Sequence, residues 1–216
     1  MAHLAQYDFL TDLPNRALLK DKLSQAIGLA HRHRKRVALL FVDLDGFKNV
    51  NDSLGHASGD QLLRSVADRL VTCVRGTDTV FRQGGDEFVI LLTEIEQPQD
   101  AAHLAENLHL AFAVPHLIDG NELRVSLSIG ISVYPDDGTN GDIVMQNADT
   151  AMFHAKASGR DDDEFFRTDM NVSVVRRMAI ESRLRHTQRQ EQVLMHYQPK
   201  MDLTSGVLTG AEALIR

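Results

Sequence analysis

Hydrophobic residues recur between residues 15 and 167 with spacings that alternate between those of helices and those of strands. Apolar positions three and four residues apart predict helices over 15–34, 59–74, 98–114 and 142–157. Continuous or alternating apolar runs predict strands over 37–44, 79–82, 88–93, 123–134 and 163–167. A glycine pair at 84–85 separates two of these strands and predicts a hairpin. We therefore expect an α/β (α+β) fold in which helices flank a mostly antiparallel central sheet.

A different pattern follows residue 168. Residues 169–190 are polar and rich in arginine, with helical spacing, which predicts a connecting helix. Residues 193–197 then begin a new strand. The expected organisation is one complete domain over 1–168, a connecting helix over 169–190 and the incomplete start of a second domain over 191–216.

Composition places the chain among folded globular proteins. Hydrophobic residues make up 43% and charged residues 25% of the 216 residues, which excludes collagen-like, low-complexity and wholly disordered chains. The net charge is -7, so binding to a nucleic acid backbone is disfavoured. A ligand that carries phosphate would need a local device, such as a metal ion or a loop of backbone amides.

Cysteine content and hydropathy bear on the compartment. Cys73 is the only cysteine, which excludes disulfide frameworks and cysteine-based zinc sites and favours a reducing compartment. The longest apolar run, 37–42, has six residues, whereas a membrane span needs about 18. The sequence has no secretory leader at its start, which predicts a cytoplasmic location. Any membrane attachment of a longer parent protein would use segments outside this sequence.

Candidate chemistry begins where the first strand ends, at Asp43 and Asp45. If both residues stay extended, their carboxylates point to the same face and suit a hard cation with oxygen ligands. A calcium loop that starts at Asp43 is excluded by spacing, because its sixth position is Lys48 instead of glycine and its twelfth is Leu54 instead of glutamate. Magnesium together with a phosphate is the better prediction.

A second candidate turn places Asp86 and Glu87 directly after the glycine pair. Glycine lets a ligand approach the backbone closely, and the two acids offer metal ligands and a general base. For a generic turn of this composition the alternative is a solvated hairpin tip.

Four segments together resemble one family. Residues 82–88, RQGGDEF, match the signature of the GGDEF family, the diguanylate cyclases. Residues 8–16 resemble the opening segment of that family, with Asp12 where glycine is commoner. Residues 43–60 resemble its metal and nucleotide segment, and residues 148–160 resemble its late helix motif. The resemblance covers about residues 3–167.

The resemblance implies a fold, a reaction and partners. The fold would be that of adenylyl cyclase catalytic cores and polymerase palms, and each domain would bind one GTP. Two domains facing each other in a homodimer would join two GTP into cyclic di-GMP and release pyrophosphate. The cofactor would be Mg²⁺ or Mn²⁺, which bridges carboxylates and phosphates in an acidic protein.

Site residues follow from matched positions within the resemblance. The metal ligands would be Asp43, Asp86, Glu87 and the carbonyl of Leu44. Glu87 would be either such a ligand or the base that activates the 3′-hydroxyl, and Asp86 and Lys48 complete the catalytic set. Guanine would be read by Asn51 and Asp60, and the phosphates would meet Lys48, Lys156 and Arg160. The alternatives are ordinary surface cations for the basic residues, a turn residue and a helix cap for Asn51 and Asp60, and a place in a hydrogen-bond network for Asp45.

A regulatory motif lies just before the hairpin. Arg75 and Asp78 match the RxxD inhibitory site of the family, which binds the product cyclic di-GMP. The arginine fork suits a phosphate or a guanine edge, and the aspartate can accept from guanine N–H groups. The alternative is a surface ion pair.

The tail has a resemblance of its own. Residues 196–200 and 212–216 are similar to the first two strands of an EAL domain, the cyclic di-GMP phosphodiesterase barrel, in which Glu212 would be a metal ligand. A barrel of this class needs on the order of 200 residues or more, so the site cannot be complete here. The expected parent is a tandem GGDEF–EAL protein with an upstream sensor domain. The alternatives to an active cyclase are a GTP-binding domain that regulates the phosphodiesterase without turnover, and a receptor for the product.

Overall fold

The computed structural model describes residues 6–171, 195–202 and 205–215 of the chain. The chain divides into two compact units, Met1–Met170 and Asn171–Arg216. The helices of the first unit include α1 (Arg16–His33), α2 (Phe47–Cys73), α3 (Gln99–Phe112) and α4 (Gly141–Ser158). Its strands include β1 (Arg36–Leu44), β2 (Thr79–Gly84), β3 (Glu87–Ile95), β4 (His116–Ile118), β5 (Asn121–Leu123), β6 (Leu127–Tyr134) and β7 (Asp162–Phe165).

The central sheet has five strands in the order β2-β3-β1-β6-β7. Strand β1 lies in the middle and pairs antiparallel with both β3 and β6, and only the β6–β7 pair in this sheet is parallel. Helices cover the two faces. The predicted fold class, a mostly antiparallel sheet flanked by helices, is therefore confirmed.

Alternation along β1 builds a core on each side of the sheet. Ala38, Leu40, Val42 and Leu44 belong to the larger core, which also contains buried residues of α2 and α3. Val37, Leu39 and Phe41 belong to a second core, formed with α1 and α4. Because side chains alternate, Asp43 continues the second series and faces the layer of α1 and α4.

Gly130 fixes how closely α4 approaches the sheet. A Cβ atom at this position in β6 would lie 2.0 Å from the backbone nitrogen of Met152 and 2.1 Å from the carbonyl oxygen of Ala148. Only glycine permits this contact between the helix backbone and the strand. The close approach sets the last turns of α4, with Lys156, against the end of β1.

Two predicted boundaries are wrong. Helix α2 begins at Phe47 instead of residue 59, and it runs through a kink at Gly55. Its first turns carry exposed polar side chains, so they lack the apolar repeat that would have predicted them. The single strand predicted over 123–134 is two strands, β5 and β6, and β5 pairs with the unpredicted β4. Val125 is buried between them, so the apolar alternation continued across the break.

The second unit contains a hairpin of β8 (Met195–Met201) and β9 (Leu208–Ile215). Gln198 lies opposite Glu212 in the register, and Lys200 Nζ lies 3.2 Å from Glu212 Oε2. Most of the predicted connecting helix, from residue 172 onward, lies outside the described residues. Within the parts of the chain that the structure describes, no helix is both long and apolar enough to cross a bilayer.

Candidate functional site

Two turns meet at one end of the central sheet. Asp43 in β1 lies opposite Glu87 in β3, and the backbone nitrogen of Leu44 donates to the carbonyl oxygen of Asp86 at 3.2 Å. Antiparallel neighbours bring the end of one strand beside the start of the next. The three predicted acidic residues Asp43, Asp86 and Glu87 therefore lie at the same edge of the sheet.

An open cleft of about 590 Å³ lies at this edge. It contains six of the residues predicted from the sequence. Its walls are formed by Asp43, Leu44, Asp45, Gly46, Phe47, Lys48, Asn49, Asp86, Lys156 and Arg160. The cleft thus joins an acidic edge to three cations, which come from the start of α2, from α4 and from the loop that follows α4. Neighbouring carboxylates and cations suit a ligand that carries both a metal and phosphates.

Asp43 is the most buried carboxylate of the cleft, with its side chain 6% exposed. Its Oδ2 atom lies 2.5 Å from Nζ of Lys156, in the last turns of α4. Burial raises the pKa of Asp43 from 3.8 to about 6, and the charges of Asp86 and Glu87 add to this effect although Lys156 opposes it. The contact with Lys156 therefore does not offset the effect of burial on this carboxylate.

Glu87 has a pKa above its usual value of 4.5. Burial is the main cause, and the charges of Asp149 and Asp86 add to it while Lys156 opposes it. The sequence analysis gave Asp149 no role, although its spacing of seven residues from Lys156 puts the two on one face of α4. Burial and the two neighbouring acids therefore make Glu87 a better proton acceptor than an ordinary glutamate.

The acidic edge offers carboxylate oxygens, which are the ligands that hard divalent cations take. Among the described residues, no group of three or more histidine, cysteine, aspartate or glutamate side chains could hold a metal ion alone. Mg²⁺ is usually held by one or two carboxylates and completes its shell with waters and substrate phosphates. Burial, together with the charges of Asp86 and Glu87, raises the pKa of the Asp43 carboxyl, and a bound cation would favour its ionised form.

Asn51 and Asp60 lie on opposite sides of the kink in α2. A Cβ atom at Gly59 would be 1.9 Å from Oδ1 of Asn51, so the kink folds Asn51 onto the turn that carries Gly59 and Asp60. The Asp60 side chain is exposed. The structure brings these two residues close together, but neither belongs to the walls of the cleft.

Asp45 differs from Asp43 in its surroundings. Strand β1 ends at Leu44, so Asp45 lies in the following turn and the condition for two carboxylates on one face is not met. Its carboxylate accepts hydrogen bonds from the hydroxyl groups of Ser126 and Ser128, each at 2.8 Å. Of the alternatives weighed for Asp45, the hydrogen-bond network is the observed one.

Arg75 and Asp78 border a small cavity of about 100 Å³ between the end of α2 and α3. Oδ1 of Asp78 accepts from the backbone nitrogen of Thr93 at 3.3 Å, and the Asp78 nitrogen donates to the Arg75 carbonyl at 3.0 Å. The ion pairs of the described residues do not include one between these two side chains. The guanidinium of Arg75 is exposed beside the cavity.

Arg82 connects the hairpin to the start of the chain. Its Nε and Nη2 atoms donate to the carbonyl oxygen of Gly85 at 3.2 and 2.8 Å, and its Nη1 donates to Oδ1 of Asp8 at 2.7 Å. The side chains of Arg82 and Asp8 are 8% and 16% exposed. Burial alone would raise the pKa of Asp8, but hydrogen bonds from Arg82 and Thr11 lower it. Sequence reasoning matched both segments to motifs without predicting this contact.

Replacing Arg82 by alanine is expected to destabilise the protein by about 2 kcal/mol, because Asp8 would stay buried without its charged donor. Arg36 offers a matched control, since its Nε lies 2.9 Å from Oδ2 of Asp136 but both side chains are at least 39% exposed. Arg36→Ala should change the free energy of unfolding by less than about 0.5 kcal/mol. Urea unfolding of both variants measures the difference, and equal losses would contradict the role assigned to the buried pair.

Comparison with known proteins gives a consistent family. A model described as "Diguanylate cyclase, GGDEF domain" matches residues 5–162. The chain is 48% identical over 216 residues to the bifunctional diguanylate cyclase/cyclic di-GMP phosphodiesterase MucR of Pseudomonas aeruginosa. It is 37% identical over 216 residues to the cyclic di-GMP phosphodiesterase NbdA of the same species. Both alignments cover 100% of this chain, which spans 31% and 28% of the length of these two relatives.

Solved structures agree with the fold. The GGDEF domain of PA1120 (YfiN or TpbB) from Pseudomonas aeruginosa superposes with a TM-score of 0.72 at 39% identity, covering 73% of this chain and 98% of that one. The coiled coil and GGDEF domain of DgcB from Caulobacter crescentus, solved in complex with c-di-GMP, gives a TM-score of 0.70 at 27% identity. That match covers 76% of this chain and 87% of the other.

Proposed function

The chain belongs to the GGDEF family of diguanylate cyclase domains, and from this premise we propose that it condenses two GTP into cyclic di-GMP and releases pyrophosphate. One observation carries the proposal. Asp43, Asp86, Lys156 and Arg160 surround a single open cleft, and Glu87 lies opposite Asp43 at its edge. This arrangement supports the proposal, because carboxylates, cations and a candidate base adjoin one cleft.

The acidic edge would hold Mg²⁺ or Mn²⁺ through Asp43, Asp86, Glu87 and the carbonyl of Leu44. When bound, the ion would neutralise the negative charge of the phosphates and of the displacement at phosphorus. Asp43 supports this assignment because its pKa is raised by burial and by the neighbouring acids. The same carboxylate is ionised near neutral pH and can then act as a ligand.

The remaining residues would position GTP. Lys48, Lys156 and Arg160 are the cations at the cleft walls and would bind the phosphates. Asn51 and Asp60, which lie together at the kink of α2, would read the guanine base, because an amide and a carboxylate complement its carbonyl oxygen and its N–H groups. Adenine presents the opposite donor and acceptor pattern and would bind more weakly.

Glu87 would accept the proton of the 3′-hydroxyl that attacks the α-phosphate of the other GTP. A new bond between the 3′-oxygen and the α-phosphorus forms while the bond to the leaving pyrophosphate breaks. The raised pKa of Glu87 favours its role as the base, since a base works best when its pKa approaches the working pH. Each product molecule contains two such bonds, so we propose a homodimer in which two clefts face each other.

Product inhibition would act through Arg75 and Asp78. The exposed guanidinium of Arg75 and the carboxylate of Asp78 border the same small cavity, and they match the chemistry of a phosphate and a guanine edge. The complex of DgcB with c-di-GMP supports cyclic di-GMP as a ligand of domains with this fold.

A second function is favoured by one of the relatives. NbdA is named only as a phosphodiesterase, although its alignment covers all 216 residues of this chain. The alternative proposal is therefore a GTP-binding domain without turnover that regulates an attached EAL phosphodiesterase. The hairpin of β8 and β9 would be the start of that EAL domain, within a longer parent protein that also carries an upstream sensor domain.

Incubation of the protein with GTP and Mg²⁺ at high protein concentration, followed by mass analysis of the nucleotides, tests the proposal. We expect cyclic di-GMP and pyrophosphate to appear, and excess EDTA should reduce the rate at least about 100-fold. GTP binding without product would select the regulatory alternative. If the protein neither binds GTP nor forms product, both proposals are rejected.

A further inference from the structure

Asp45 has a carboxylate that protein groups already bind on both oxygens. Its Oδ1 atom accepts from the hydroxyl of Ser128 at 2.8 Å and lies 3.7 Å from Nε of Arg160. Its Oδ2 atom accepts from the hydroxyl of Ser126 at 2.8 Å and from the backbone nitrogen of Asp161 at 3.1 Å. The side chain is 7% exposed. Because a carboxylate oxygen accepts about two hydrogen bonds, a metal ion at Oδ2 would have to displace one of its two donors.

The loop bound by Asp45 has an unfavourable backbone conformation. Gly159, Arg160 and Asp161 have φ angles of 146°, 66° and 52°, so three consecutive residues adopt positive φ. Residues other than glycine rarely adopt such angles, and they persist only where the surroundings hold them. The hydrogen bond from the Asp161 nitrogen to Asp45 is a contact that holds this loop to the end of β1.

Arg160 is presented to the cleft by this loop. Its side chain is 62% exposed, contacts Asp45 only at 3.7 Å and forms part of the cleft wall. The preceding helix, α4, ends at Ser158, and the backbone nitrogen of Arg160 donates to the carbonyl oxygen of Ala155 in its last turn at 3.2 Å. Asp45 therefore holds the far side of a loop whose near side is bound to the helix end.

We infer that Asp45 is a positioning residue: it holds the loop 159–161 in its left-handed conformation and thereby sets Arg160 to bind the terminal phosphate of GTP. The role of Arg160 in phosphate binding rests on the proposed function, whereas the effect of Asp45 on the loop does not. The inference also gives different roles to the two aspartates on either side of Leu44, because Asp43 would hold the metal and Asp45 would hold the loop.

Three variants test the inference. Asp45→Ala removes the acceptor of the loop, and Arg160→Ala removes the phosphate contact itself. Asp161→Asn is the matched control, because it also removes one negative charge but keeps the backbone N–H that Asp45 binds. Asparagine tolerates a left-handed conformation as well as aspartate does. The control weakens only the contact of Asp161 with Nδ1 of His109, which is 3.6 Å long.

Hydrogen exchange in the protein without nucleotide measures the loop. The amides of residues 159–162 should exchange at least about 10-fold faster in Asp45→Ala, and within about threefold of the parent rate in Asp161→Asn. Unchanged exchange in Asp45→Ala would overturn the inference. If Asp45→Ala does not fold, Asp45→Asn replaces it, since its single acceptor oxygen can satisfy only part of the network and should give a smaller change in the same direction.

Calorimetry with GTP and GDP, both with Mg²⁺, measures the effect on phosphate binding. Asp45→Ala and Arg160→Ala should each lower the affinity for GTP about 10-fold while leaving that for GDP nearly unchanged, and the double variant should lose no more than either single variant. An increase in the Mg²⁺ concentration needed for binding in Asp45→Ala, but not in Arg160→Ala, would overturn the inference in favour of a metal ligand. If the unsubstituted protein binds neither nucleotide, the proposed function and the role of Arg160 are rejected. The exchange experiment would still decide whether Asp45 holds the loop.

Discussion

Replacement of Glu87 by glutamine should reduce the rate of cyclic di-GMP formation by a factor of at least about 10³. Glutamine has nearly the same shape but cannot accept the proton of the 3′-hydroxyl, and its neutral oxygen is a weaker metal ligand than a carboxylate. Burial and the charges of Asp149 and Asp86 make Glu87 a stronger base than an exposed glutamate, so its loss should be felt in turnover. Glu87 lies at the start of β3 and contributes little to the apolar core, so the fold should persist.

The measurement is the initial rate of cyclic di-GMP formation at saturating GTP, with stability followed by thermal unfolding. Glu106→Gln is the matched control, because Glu106 lies on α3 with its side chain 70% exposed and remote from the cleft walls. It should keep the parent rate within about twofold. Equal rates for Glu87→Gln and the parent would show that Glu87 has no part in the reaction.

The fold was predictable where apolar residues repeat with one period over a whole element. Helix α1 differs from its predicted bounds by one residue at each end, and strand β1 differs by one residue at its start only. The first turns of α2 were missed because they carry the polar residues of the candidate site, which need exposure instead of an apolar face. The break between β5 and β6 was missed because alternation reports which side chains are buried, not which backbone groups are paired.

The candidate site was predictable where its residues lie in short matched motifs. Asp43, Asp86 and Glu87 belong to two such motifs, and the pairing of β1 with β3 brings them to one edge. Contacts between segments that are distant in the sequence were not predictable. The hydrogen bonds from Arg82 to Asp8, and from the Asp161 nitrogen to Asp45, join residues that are 74 and 116 positions apart. No local pattern records such distances, since they depend on how the sheet and helices pack.

Replacement of Asp43 by asparagine should change stability and activity in opposite directions. Folding raises the pKa of Asp43 from 3.8 to about 6 through burial and the charges of Asp86 and Glu87. The folded state therefore binds this proton more tightly than the unfolded state, so the stability that the group contributes is complete below about pH 4 and is lost as the pH rises through about 6. At pH 8 the buried charge destabilises the fold by about 3 kcal/mol, because each pKa unit corresponds to about 1.4 kcal/mol.

Asparagine carries no charge at any of these pH values, so Asp43→Asn should be more stable than the parent at pH 8. The expected gain is about 2 kcal/mol, which is less than the full effect of the buried charge because Lys156 loses the carboxylate that it contacts at 2.5 Å. At pH 4.5 the gain in stability should be less than half as large. Urea unfolding at the two pH values measures it, with Asp142→Asn as a control whose side chain is 79% exposed. The same variant should form cyclic di-GMP at least about 100-fold more slowly, because an amide replaces a metal ligand. A carboxylate kept for the fold would instead give a loss of stability at pH 8, and that result would contradict the assignment of Asp43 to the metal.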